Sequence, residues 1–109
     1  MIDLSRDELL TSFGKTTLHD RYLLPEETSP QEAFMRAAKA FSDNDEMAER
    51  IYNYSSKLWF MYATPILTNG GTDRGMPISC FLNYVPDSRE GLTGHYSENA
   101  WLASVGGGI

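Results

Sequence analysis

The chain has 109 residues, of which 41% are hydrophobic and 12% aromatic, so it is large enough for one domain with a core and too apolar for general disorder. Its net charge of −6 argues against a nonspecific nucleic-acid binder, which needs a basic face. A single cysteine excludes an internal disulfide framework, no apolar run reaches membrane-spanning length, and the acidic start is unlike a signal peptide. We expect a soluble protein of the reducing cytoplasm.

The charge is concentrated in the first half of the chain. Residues 1–50 carry a net charge of −5 and residues 51–109 a net charge of −1. This difference predicts solvated helices first and a more buried second half. At the start, Ser5–Glu8 is a candidate capping box that opens a short helix, and Gly14 is a suitable residue to end it.

Two longer helices are predicted in the middle of the chain. Ser29 is a good N-cap, followed by Pro30 at the first helical position and Glu32 at the third, and apolar residues then recur on one face to Phe41. After an Asp-Asn-Asp turn, apolar periodicity predicts a long amphipathic helix over residues 47–62.

The segment 64–80 is expected to deliver the only cysteine to a defined place. Residues 64–68 are β-branched and apolar and predict a short strand, and Asn69-Gly-Gly71 is a strong turn signal. Residues 78–85 are nearly all apolar and predict a second strand, buried on both faces, with Cys80 inside it.

A polar connection is predicted from Pro86 through Gly94, followed by a helix that has Ser97 as its N-cap and ends at Ser104. Three glycines, Gly106–Gly108, then precede the last residue. Such glycines form a helix C-cap or allow a ligand to approach the backbone. We interpret the chain as the front portion of a larger fold.

The residue types alone leave the role of Cys80 open. A free cysteine usually packs as a small hydrophobic residue, whereas a redox thiol needs a partner sulfur, which here would come from another polypeptide. His19 and His95 are far apart in sequence and lack an accompanying cysteine pair, so no metal site is predicted.

The combination of segments goes further, because it resembles the large, catalytic subunit of ribonucleotide reductase. Five segments occur in the family's order: Thr64–Leu67, Pro77–Asn83, Val85–Ser88, Trp101–Ser104 and Gly106–Ile109. The resemblance implies an α/β fold, with a helical N-terminal region at residues 1–62 that lacks an ATP cone. Residues 63–109 would start a ten-stranded α/β barrel that is truncated at Ile109.

The resemblance also assigns roles to individual residues. Cys80 matches a redox cysteine that forms a disulfide with a distant cysteine as the ribose 2′-hydroxyl leaves as water. Thr64, Ser79 and Gly108 match substrate-binding positions. Asp87 matches the residue that binds the sugar of a specificity effector, and Ser88 lies beside it.

The implied partners are a complementary C-terminal part of the subunit, a second large subunit in a homodimer, a ribonucleotide substrate and a nucleotide effector. A metal-containing small subunit would supply the radical, with adenosylcobalamin as the alternative source, and a thioredoxin- or glutaredoxin-type protein would be the reductant. The chain alone would bind no cofactor and be inactive. A rival hypothesis is a non-catalytic helical interaction module with a buried structural cysteine.

Overall fold

The computed structural model describes all residues from 1 to 109, and its regular structure is entirely helical. A 3-10 helix and five α-helices follow one another along the chain: Leu4–Leu9, α1 (Ser12–Arg21), α2 (Pro30–Ala40), α3 (Asp45–Ser56), α4 (Thr64–Asn69) and α5 (Arg89–Ser104). The helical N-terminal region is therefore as predicted, and the two strands are not present.

Helix α2 is the centre of the core. The predicted capping box is confirmed, since the Ser29 side chain accepts from the N–H of Gln31 and the Glu32 carboxylate accepts from the Ser29 N–H. One face of α2 is buried, and Phe34 is fully inaccessible. Burial of such a side chain stabilises a fold by about 2–3 kcal/mol. The core around it is completed by side chains from α1, α3 and α4, including Leu18, Tyr52 and Leu67.

Helix α3 begins as predicted and ends earlier than predicted. The Asn44 side chain caps it by accepting from the N–H of Met47 at 2.8 Å. The helix stops at Ser56, because Leu58 adopts a left-handed backbone with φ of 62°. A residue at positive φ does not continue a right-handed helix. The chain therefore turns, and Tyr62 lies outside α3.

The N-terminal helices use other residues at their ends than predicted. Asp3, rather than Ser5, caps the 3-10 helix, and its carboxylate accepts from the Ser5 N–H at 3.1 Å. Gly14 does not end a helix: its N–H donates to the Thr11 side chain, which is the N-cap of α1. The glycine lies in the first turn of α1 and not in the last.

The predicted strand at residues 64–68 is wrong, because this segment forms the short helix α4. Pro65 lies in its first turn, where the missing N–H and the fixed φ of proline favour a helix. Leu67 points into the core and is almost fully buried. Packing against α2 therefore overrides the β-propensity of the segment.

The predicted strand at residues 78–85 is also wrong. Its backbone makes one isolated parallel bridge, between Cys80 and Gly108, and no ladder. A strand requires successive residues to pair with a neighbouring backbone, and here only Cys80 is paired, with Gly108. The segment is exposed rather than buried on both faces, and no residue after Gly70 is buried. The second half is thus more open than its low charge predicted.

Helix α5 begins nine residues before the predicted start. Ser88 is its N-cap, and the helix continues through Gly91 and Gly94, which were predicted to lie in a connection. A Cβ at Gly91 would lie 2.5 Å from the carbonyl oxygen of Pro86, so this glycine permits a tight entry into the helix. No helix in the chain is both long and apolar enough to span a membrane.

Candidate functional site

The single cysteine and the glycine run meet through the bridge between Cys80 and Gly108. The Phe81 N–H donates to the Gly108 carbonyl at 2.7 Å, and the Gly108 N–H donates to the Ser79 carbonyl at 2.5 Å. A Cβ at Gly108 would lie 3.2 Å from the Ser79 oxygen and 3.6 Å from the Cys80 sulfur. The absence of a side chain at Gly108 thus allows the glycine run to approach the cysteine segment. Three predicted site residues, Ser79, Cys80 and Gly108, lie together as a result.

The Cys80 thiol is exposed and unpaired. Its sulfur lies 3.5 Å from the Ser79 hydroxyl oxygen. This exposure contradicts the hypothesis of a cysteine buried as a packing residue. An accessible thiol with a neighbouring hydroxyl is suited to exchange with a second sulfur or to proton transfer.

Thr64 and Ser79 share a cleft of about 310 Å³, which is also lined by polar groups of Thr68 and Asn69 and by the backbone of Gly106. Two hydrogen bonds fasten the loop after α4 to the end of that helix. The Asn69 amide donates to the Met76 carbonyl at 2.9 Å, and the Arg74 guanidinium donates to the Thr68 carbonyl at 2.8 Å. The structure thus gives the two predicted substrate hydroxyls a common cavity.

The Thr64 hydroxyl has a partner that the sequence did not reveal. It lies 3.0 Å from the hydroxyl of Tyr22, a residue 42 positions earlier at the end of α1. No local signal connects two residues at that separation, because the contact depends on how α1 and α4 pack on α2.

Asp87 and Ser88 are separate from this cleft. The Ser88 hydroxyl accepts from the Gly91 N–H at 2.9 Å and so serves as a helix cap, while Asp87 is exposed just before it. Pro86 and Gly91, on either side of the pair, line another cleft of about 580 Å³. Asp87 and Ser88 themselves line neither this cleft nor the cleft of Thr64 and Ser79.

His95 faces that second cleft and has amide neighbours on both ring nitrogens. Asn83 Nδ2 lies 3.2 Å from Nδ1, and Asn99 Nδ2 lies 3.1 Å from Nε2. The chain has no group of three His, Cys, Asp or Glu side chains arranged to hold a metal ion.

The fold defines a helical domain in which Thr64 and Ser79 line one cleft, and the Cys80 sulfur lies beside the Ser79 hydroxyl. The model of one family, described as "Ribonucleotide reductase, all-alpha domain", matches residues 8–75. That match covers more than half of the chain, and the chain belongs to this family. The predicted family is thereby confirmed.

Individual relatives agree with this assignment. The ribonucleoside-diphosphate reductase large subunit of Invertebrate iridescent virus 6 is 41% identical over 109 residues, which cover 100% of this chain and 11% of the relative. The corresponding subunit of Invertebrate iridescent virus 3 is 41% identical, with 99% of this chain and 17% of the relative covered. The chain thus spans less than a fifth of the length of these two subunits.

A solved structure shows the same fold. The alpha subunit of a class Id ribonucleotide reductase from Actinobacillus ureae superposes with a TM-score of 0.77 at 30% identity. The match covers 99% of this chain and 21% of that subunit.

Proposed function

We propose that this chain is the N-terminal part of a ribonucleoside-diphosphate reductase large subunit and contributes Cys80 to the reduction of ribonucleotides. The observation that carries the proposal is the exposed Cys80 thiol, whose sulfur lies 3.5 Å from the hydroxyl of Ser79, a residue that lines the cleft with Thr64. Membership of the family and the names of the relatives supply the reaction class.

In this proposal Cys80 provides half of the reducing equivalents. Its thiol and a thiol from outside these 109 residues are oxidised together to a disulfide, which releases two electrons and two protons. The ribose 2′-hydroxyl leaves as water, and hydrogen takes its place on the carbon. The accessible sulfur of Cys80 supports this role, because disulfide formation requires the partner sulfur to reach it.

The hydroxyls of Thr64 and Ser79 are proposed to bind the substrate, a ribonucleoside diphosphate, in the cleft of about 310 Å³. Hydroxyl groups donate hydrogen bonds to sugar or phosphate oxygens and accept from others. The Gly108 backbone would contribute to the substrate site from the side of the bridge, where its lack of a Cβ lets it lie against Ser79 and Cys80.

Asp87 and Ser88 are proposed to bind the specificity effector at the interface of a large-subunit homodimer. Neither residue lines the cleft of Thr64 and Ser79, which supports an effector site separate from the substrate. Ser88 already caps α5, so the effector would meet mainly the Asp87 carboxylate and the start of that helix.

The remaining chemistry is proposed to come from partners. A metal-containing small subunit would supply the radical, with adenosylcobalamin as the alternative, and a thioredoxin- or glutaredoxin-type protein would reduce the disulfide. Residues 1–62 would form the helical region and residues 63–109 the start of the barrel, completed by the rest of the subunit. We place the enzyme in the cytoplasm, where such reductants maintain free thiols.

The test is Cys80→Ser in the complete reductase that contains this chain. We expect multiple-turnover formation of deoxynucleotide to fall to background, because serine cannot form the disulfide. In the wild-type enzyme, turnover without reductant followed by mass spectrometry of peptides should reveal Cys80 in a disulfide. Normal turnover by Cys80→Ser would disprove the proposed role.

The matched control is Ser104→Ala, which removes a hydroxyl that bonds only within α5, to the Trp101 carbonyl. This variant should retain multiple turnover. If Ser104→Ala loses as much activity as Cys80→Ser, the loss reflects the folding of this part of the chain, and the result counts against a special role of the thiol.

A further inference from the structure

We infer that Tyr22 is a positioning residue for the substrate cleft, acting through the hydroxyl of Thr64. The inference rests on the proposed function, since it takes Thr64 to be a substrate contact. Its structural basis is the hydroxyl-to-hydroxyl distance of 3.0 Å between the two side chains.

Tyr22 is itself firmly held. It caps the end of α1, where its N–H donates to the Leu18 carbonyl at 3.0 Å. Its half-buried ring packs against the core cluster, so only the hydroxyl end reaches out towards Thr64. A tyrosine with a fixed backbone and a packed ring presents its hydroxyl at a defined point.

Arg36 connects the backbone of Tyr22 to the backbone of α4, the helix that carries Thr64. Its guanidinium donates to the Tyr22 carbonyl at 3.3 Å and to the Leu67 and Gly70 carbonyls at 2.9 and 2.7 Å. Helix α4 is therefore connected to the end of α1 at both of its ends, by Arg36 at the last turn and by Tyr22 at the first. Rotation of Thr64 away from Tyr22 would have to break this arrangement.

The direction of the hydrogen bond decides what Thr64 offers to a ligand. Either oxygen can be the donor in the structure. When Tyr22 donates, the proton of Thr64 stays free to donate to an anionic oxygen, such as that of a diphosphate. The two successive hydroxyls then polarise each other, and the terminal one becomes a better donor. The same chain of bonds keeps the Thr64 side chain in one rotamer.

The test compares Tyr22→Phe with the parent enzyme in the complete reductase, using cytidine diphosphate as substrate. We expect the KM to rise about fivefold, the effect of losing about one hydrogen bond, while kcat stays within twofold. On a Thr64→Val background Tyr22→Phe should have no further effect, because the group that it orients is already gone. The single variant Thr64→Ser keeps the hydroxyl, and its KM should be close to the parent value.

The matched control is Tyr62→Phe, which removes another bonded tyrosine hydroxyl from the same helical region. That hydroxyl donates to the Phe34 carbonyl at 3.0 Å and does not reach the cleft. Thermal unfolding is measured for both variants. A lower Tm with an unchanged KM is expected for Tyr62→Phe, and the same pattern for Tyr22→Phe would overturn the inference.

The outcomes separate this inference from the proposed function. If Thr64→Val raises the KM and Tyr22→Phe does not, Tyr22 has no positioning role and the proposed function stands. If the two effects on KM are additive, Tyr22 acts independently of Thr64, and the inference is again wrong. If Thr64→Val leaves the KM unchanged, the substrate role of Thr64 fails, and the role of Tyr22 fails with it.

Discussion

The hydroxyl of Tyr52 donates a hydrogen bond of 2.9 Å to the side-chain oxygen of Gln31, and both residues are completely buried. The same hydroxyl accepts from the Asp3 N–H at 2.8 Å, so it joins α3, α2 and the N-terminal segment. Gln31 continues the network by donating to Asp7 at 2.9 Å. A buried polar network of this kind is favourable only when each member keeps its partner.

Tyr52→Phe should therefore destabilise the chain by more than the loss of one average hydrogen bond. The substitution leaves the Gln31 oxygen and the Asp3 N–H without their partner, at a cost of about 1–3 kcal/mol in the free energy of unfolding. Urea denaturation followed by circular dichroism measures this change. Tyr54→Phe is the matched control, because Tyr54 is 41% exposed and its ring still stacks on Trp59. Equal stabilities of the two variants would contradict the role of the network.

A second prediction concerns the ion pair between Arg36 and Glu27. The Arg36 Nε lies 3.0 Å from Glu27 Oε1, and the side chains are only 12% and 8% exposed. Removal of one partner from a buried pair costs about 3–5 kcal/mol, because a charge remains without compensation. Arg36→Leu should lower the free energy of unfolding by about this amount. The other carboxylate oxygen of Glu27 is buried and has no hydrogen-bond partner in the protein, so Arg36 is its main source of compensation.

A double substitution distinguishes the effect of the uncompensated Glu27 charge from the effect of the hydrogen bonds lost with Arg36. Adding Glu27→Gln to Arg36→Leu should recover part of the lost stability, since it removes the isolated charge. The recovery should be incomplete, because three backbone carbonyls still lose their donor. Arg50→Leu, at an exposed position on α3, should change stability by no more than about 0.5 kcal/mol. Absence of any recovery in the double variant would show that the charge of Glu27 is not the cause.

The parts of the fold that were predictable are those with local causes. The capping box of Ser29 and Glu32 and the helix start after the Asp-Asn-Asp turn need only residues within one turn, and both are confirmed. The end of α3 was missed because the apolar pattern continues past Ser56, while the backbone reverses at Leu58. Tyr62, the last residue of the predicted helix, contacts the core instead from beyond that reversal.

The errors in the second half have a common physical origin. Residues 64–68 and 78–85 were interpreted as strands from side-chain type, yet strand formation depends on pairing with other backbone segments. Helix α4 forms because Leu67 packs against α2, and Cys80 pairs only with Gly108. Family resemblance assigned roles to Cys80 and Gly108 without placing them in contact, and the Tyr22–Thr64 contact had no signal in the sequence. The pattern of side chains along a sequence does not predict tertiary contacts of this kind.

The last prediction concerns alkaline pH and Tyr62. Burial raises the pKa of Tyr62 above the ordinary value of 10.0, and a hydrogen bond from Ser55 opposes the change only in part. The folded state thus favours the neutral phenol. Its contribution to stability is fully present below about pH 10 and is lost as the pH rises through the higher pKa of the folded state. The free energy of unfolding, measured from pH 8 to pH 11.5, should therefore decline more steeply above about pH 10 for the parent chain than for Tyr62→Phe. Parallel curves for the two proteins would show that burial of this hydroxyl does not couple folding to its ionisation.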